Sequence, residues 1–87
     1  MHEAGLMRDL MAKTLGVAAK EAGNKVSTVT VWLGALSHMT AEHFRDHYDQ
    51  AAAGTIASDA ALHIELSDDI QHPDAQHVIL KSVGVSV

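Results

Sequence analysis

From Ala4 to Ala22 the apolar residues Leu6, Met7, Leu10, Met11, Leu15, Ala18 and Ala22 recur at helical spacing, with Arg8, Asp9, Lys13 and Lys20 on the other side. The pattern predicts an amphipathic helix. It stops at Gly23-Asn24, two residues that tolerate the left-handed conformation. Gly16 inside the pattern costs about 0.8–1 kcal/mol relative to alanine, an expense expected where a helix approaches a neighbouring strand. The methionine stripe reads as core packing. Lys25 to Ala35 then switches to period two: Val29, Val31 and Leu33 face one way, Thr28, Thr30 and Trp32 the other. One buried face is implied, with Trp32 on the more exposed one, and Gly34 closes the strand.

Thr40 is placed to cap a second helix, Ala41 to about Ala53, with Glu42 in the first turn where the helix dipole favours an anion. Phe44, Tyr48, Ala51 and Ala52 make its apolar stripe, and Gly54 ends it. A second strand covers Ala61 to Ser67, where Leu62, Ile64 and Leu66 alternate with His63 and Glu65. Asp68 to Gln76 contains the only proline and reads as a loop. The last strand, Val78 to Val87, changes parity between Val78/Leu80 and Val83/Val85/Val87. A bulge near Lys81-Ser82 reconciles the two halves. The order helix, strand, helix, strand, strand predicts an α+β domain, with two amphipathic helices on one face of a three-stranded mixed sheet.

Composition narrows the picture. A chain of 87 residues makes one domain, which buries only about 60–65% of its unfolded surface on folding. There is no cysteine, so neither a disulfide nor a thiolate zinc site can staple it. Mean hydropathy near zero and 47% apolar residues fit a soluble globular chain. No run approaches a transmembrane length of about 20 residues, and no leader pattern is visible, so the cytoplasm is the expected location. Six Lys/Arg against eleven Asp/Glu give a net charge of −5. That sign, with the cations scattered, argues against nucleic acid. Seven histidines are an excess for a chain this short, and histidine is the commonest metal ligand.

The chain opens Met1-His2-Glu3. A free Met1 amine, the His2 backbone nitrogen and the His2 imidazole can close fused chelate rings on one ion. Such a square-planar nitrogen set suits Ni(II) or Cu(II). The large His2 side chain also fits poorly in the enzyme that trims initiator methionine, so Met1 is expected to stay. A bland reading leaves His2 as a polar terminal residue. His43 and His47 are spaced i,i+4, which can put two imidazoles on one ion, but no His-Glu-x-x-His signature accompanies them. His47 also falls on the Phe44–Tyr48 stripe, where partial burial is the usual explanation. His38, His63, His72 and His77 read as single surface residues, although His72 or His77 can complete a site if the loop folds back. Asp68-Asp69 reads as a solvated turn. No phosphate loop, catalytic triad order or dinucleotide fingerprint is present, so an enzyme is not expected.

Three stretches together resemble one family: Met-His-Glu before an amphipathic helix, Val-Trp-Leu-Gly-Ala-Leu-Ser at 31–37, and Ala-Ala-Ala-Gly-Thr-Ile-Ala at 51–57 leading into Leu-His-Ile-Glu-Leu. They are similar to the HypA/HybF family of nickel chaperones, which help insert nickel into [NiFe]-hydrogenase and, in some organisms, urease. The resemblance implies that nickel binds at Met1, His2 and Glu3. It implies as partners a hydrogenase large subunit or urease apoprotein and a nickel-insertion GTPase, while charge and hydropathy lead to no nucleic-acid or membrane partner being expected. Family members usually carry a zinc module with two Cys-x-x-Cys pairs before the final strand. Here loop 68–76 stands where it would be inserted, and no structural zinc is expected. A natural short form and an engineered deletion are both open, and Ile70–Gln76 lacks the look of an engineered linker.

Three functions follow as expectations. The first is a metallochaperone holding Ni(II) on Met1, His2 and Glu3. Its donors ordinarily titrate near ~6.5 for imidazole and ~7.7–8 for the amine, so affinity falls in acid. The second is a protein-interaction module of the same fold, motivated by the missing zinc module and by Trp32. The third is a histidine-rich buffer using His43, His47, His63, His72 and His77. Either a monomer or a homodimer is compatible.

Overall fold

A computed structural model describes the backbone of residues 2–87 and the side chains from Gly5 onward. The elements are α1 (His2–Lys20), β1 (Lys25–Leu33), α2 (Ala41–Ala52), β2 (Ala61–Leu66) and β3 (Val78–Ser86). The sheet runs β2-β1-β3, so the strand predicted first is the central one. β2 lies parallel to β1, with α2 as the crossover between them, and β3 lies antiparallel. Both helices pack on one face, where Met7, Leu10, Met11, Ala18, Phe44 and Tyr48 join Val29, Val31 and Leu33 in one buried cluster. The α+β two-layer expectation holds, strand for strand.

Two bulges set which residues reach that cluster. In β3 the partners step from Ser82 to Leu80 as β1 steps from Thr30 to Val31, leaving Lys81 as the extra residue. This is the bulge that the parity change predicts. It turns Val78, Leu80, Val83 and Val85 all toward the core. A second bulge, at Ser27, is not predicted. It brings Val26 to the buried side although its parity is opposite to that of Val29.

The end of α1 differs from expectation. The left-handed residue is Ala22, with φ 54°, and neither Gly23 nor Asn24 adopts that conformation. Ala22 is accordingly exposed and leaves the apolar stripe. A left-handed non-glycine residue costs roughly 1–2 kcal/mol. Gly23 is needed for a different reason: a Cβ there would overlap the Val85 side chain. Its N–H donates to Ala18 O at 2.9 Å, and the Asn24 N–H donates to Ser86 O at 2.8 Å, joining the helix end to β3. Gly16 is exposed and approaches no strand, since an added Cβ would meet nothing within 4 Å. Thr14, unremarked in the periodicity, is fully buried, and its hydroxyl donates to Leu10 O at 2.8 Å.

Thr40 caps α2 as predicted, its Oγ1 accepting from His43 N at 3.1 Å. Gly54, at φ 80°, turns the chain after the helix. Residues 67–77 form an irregular loop with turns over 70–76, and the Asp69 carboxylate accepts from Gln71 N at 3.0 Å at the entry to them. That loop folds back on the end of β1. Leu36 N donates to Ala75 O at 2.7 Å and Gly34 N to His77 O at 2.9 Å. Gly34 lies so close that a Cβ would collide with the Ala75 carbonyl. Among the described residues no helix is long and apolar enough to cross a membrane.

Candidate metal centre

The predicted chelate sits at the start of α1. Met1 lies outside the described residues, as do the side chains of His2 and Glu3. The backbones of His2 and Glu3 belong to the first turn of α1, two residues earlier than the periodicity placed the helix start. The first four N–H groups of a helix have no intrahelical acceptor. An ion that replaced an amide proton there would break no helix hydrogen bond.

The surroundings of this end are visible from Leu6, one turn farther along. Leu6 lines a cleft of 440 Å³ with Ser37, Met39, His77 and Val78. The first turns of α1 at Leu6 therefore neighbour the β1–α2 connection and the start of β3. His77 comes to this cleft because its backbone is tied to Gly34, and its Nδ1 lies 3.3 Å from Asp74 Oδ1. The folding back that the sequence left as a condition for His77 does occur. Its signal in the sequence was Gly34, the one residue at that strand end able to accept a carbonyl in direct contact.

The other histidines are dispersed. His72 Nδ1 accepts from Asp74 N at 2.9 Å, and its ring lies 4.8 Å from that of Trp32 at a tilt of 47°. Trp32 is thus half-covered and less open than its strand parity suggested. His38 is exposed in a left-handed conformation with φ 59°, and His63 is exposed on the helix-free face of β2. His43 and His47 do meet: their Nε2 atoms stand 3.0 Å apart and their ring centroids 4.5 Å. Among the described residues no three His, Asp or Glu side chains converge as a ligand set.

The comparisons with known proteins fit this architecture. Residues 1–71 match the family model for hydrogenase/urease nickel incorporation, metallochaperone, HypA. The match ends inside the loop that joins β2 to β3. A hydrogenase maturation factor HypA from Bradyrhizobium sp. (strain ORS 278) is 41% identical over 64 residues, 74% of this chain. The chain matches 57% of that relative's length. The solution structure of the Ni metallochaperone HypA from Helicobacter pylori superposes with a TM-score of 0.78 at 18% identity, covering 97% of each chain. A second HypA solution structure gives 0.77 at 20% identity, covering 98% of this chain and 96% of its own. Those two likenesses speak to the fold, and the sequence match speaks to descent. The chain belongs to the HypA family of hydrogenase/urease nickel-incorporation metallochaperones.

Proposed function

We propose that this chain carries Ni(II) as cargo on Met1, His2 and Glu3 and releases it to a hydrogenase, or urease, under assembly in the cytoplasm. The observation that carries the reading is that the family match starts at residue 1 and includes the Met-His-Glu opening. The Met1 amine, the His2 backbone nitrogen and the His2 imidazole supply a nitrogen set that Ni(II) accepts in a plane. Glu3 supplies a further backbone nitrogen or a carboxylate that offsets the ion's charge. Amide nitrogens in the first helical turn are unpaired, and negative charge that forms on them is favoured by the helix dipole. A site at a chain end also lets an incoming ligand displace one donor at a time. Loop 68–76 is the place where longer relatives would accommodate their zinc module. The receiving partners are a hydrogenase large subunit or urease apoprotein and a nickel-insertion GTPase, and the chain contributes delivery rather than bond chemistry.

The interaction-module reading loses one of its two motives, because Trp32 is half-covered by His72. Nickel titration of three forms of the chain tests the choice: unaltered, His2→Ala, and extended by one residue before Met1. Tight binding lost in both altered forms supports the amino-terminal chelate. Unchanged tight binding in either sinks it.

A further inference from the structure

We propose that His43 and His47 form a second cation site on α2, a two-histidine clamp for an imidazole-preferring divalent ion such as Ni(II), Cu(II) or Zn(II). It is separate from the amino end of the chain. The sequence spacing permits such a pair, but spacing alone leaves the rings free to point apart. In the structure the same atom of each ring faces the other, Nε2 to Nε2, at 3.0 Å. Two imidazoles bound cis on one ion, each about 2.0–2.1 Å from it, place their nitrogens about 3 Å apart. The pair is therefore set at a ligating separation before any ion arrives.

Three further features favour occupancy by a cation. The backbone beneath the pair is fixed: Thr40 caps the turn at His43, while Phe44 and Tyr48 anchor the adjoining face in the core. Only two side chains need lose rotamer freedom on binding, which keeps the cost of ordering low. His47 is also partly buried, lining a 520 Å³ cleft with Met7, Arg8 and Met11 of α1. The charge on α2 has the right sign, with Glu42, Asp46 and Asp49 set against Arg45 alone. Among the described residues no third His, Asp or Glu closes the site. Water fills the remaining positions, so the clamp holds its ion weakly and exchanges it readily. The competing interpretation is a plain imidazole–imidazole hydrogen bond on an exposed helix, with no ion involved.

Nickel chloride, titrated into the His2→Ala chain while the histidine ring C–H resonances are followed by NMR, separates the two. His2→Ala disables the amino-terminal chelate, so a response there belongs to other sites. The clamp predicts that His43 and His47 broaden together, at nickel concentrations several-fold below those affecting His38, His63, His72 and His77. Adding His43→Ala should then weaken binding at His47 at least tenfold, and His47→Ala should do the same at His43. His43 is exposed, so its substitution leaves the fold intact, and circular dichroism verifies this for His47. Uniform broadening of all the histidines overturns the proposal. So does an affinity at one ring that survives loss of the other. Neither outcome bears on the amino-terminal reading, which stands or falls on the unaltered chain against His2→Ala.

Discussion

The two faces of the sheet are built on opposite terms. On the helix-covered face Val26, Val29, Val31 and Leu33 of the central strand are all 1% exposed or less, with Phe44 and Tyr48 of α2 among the side chains that close over the sheet. On the other face the same strand presents Thr28, Thr30 and Trp32, flanked across the ladder by His63 and Glu65. Among the described residues its one aromatic contact is the tilted stack of Trp32 on His72, and its one ion pair is Lys81 Nζ to Glu65 Oε1 at 3.1 Å. Stability is thus concentrated on a single side. Both proposed metal-binding positions, the amino end of α1 and the His43–His47 pair, belong to the helical layer above the rigid face. Changes to their donors should alter metal binding without unfolding the chain.

The contrast is tested most severely by truncating the aromatic on each side. Phe44→Ala should cost about 3–5 kcal/mol, because it empties a fully buried space between α2 and the sheet. A small domain has roughly 5–15 kcal/mol to lose, so a large drop in the urea midpoint is expected. Trp32→Ala on the open face should cost about 0.5–1.5 kcal/mol for the lost ring pair, plus a fraction of a full burial. Equal midpoints for the two variants would mean that the second face carries as much of the fold as the first.

Tyr48 lies at the seam of α2 and the core, and offers a smaller effect with a distinct pH signature. Its hydroxyl donates to Ala57 O at 2.9 Å in a buried setting. Tyr48→Phe should cost about 1–2 kcal/mol, since the Ala57 carbonyl is left without its donor. Burial, and secondly the Asp49 carboxylate, raise the Tyr48 hydroxyl above its ordinary 10.0. The unfolded chain therefore releases this proton first as the solution becomes alkaline. The stability due to the neutral hydroxyl is complete below pH 10 and is lost as pH rises through the higher folded value. Urea midpoints measured from pH 8 upward should fall less steeply above pH 10 for Tyr48→Phe than for the unaltered chain. Parallel slopes would exclude Tyr48 as the group responsible.

The covered face was legible in the sequence because its signals are local. Helical spacing in α1 and α2, period two in β1 and the parity change in β3 each reflect which side of a segment is apolar. What escaped depends on contacts distant in the chain. The Ser27 bulge follows the register with β3, and a single apolar residue before it, Val26, makes too short a pattern to reveal a shift. The left-handed turn at Ala22 arises because Gly23 is wanted against Val85, more than sixty positions away. The histidines divide in the same way. The spacing of His43 and His47 was readable, but the facing of their rings was not, and the place of His77 depended on a loop returning to Gly34. The Met-His-Glu chelate is proposed from chain chemistry alone, since its candidate donors are consecutive and need no fold to bring them together.

The smallest expected effect lies wholly on the open face. Lys81 is the bulged residue of β3, and its amine reaches across the central strand to Glu65 of β2. Both side chains are 49% exposed. At that exposure water and salt screen the attraction, and holding two long side chains in one geometry offsets part of what remains. Lys81→Ala should therefore change stability by about 0.5 kcal/mol or less. A double-mutant cycle with Glu65→Ala isolates the pair from the loss of the Lys81 stem over Trp32 and Ile79, which line the same shallow hollow. A coupling that disappears in high salt is the mark of a surface pair. A coupling well above 1 kcal/mol that persists in salt would require the ion pair to be dry, and would make the polar face a second source of stability rather than a solvated cover.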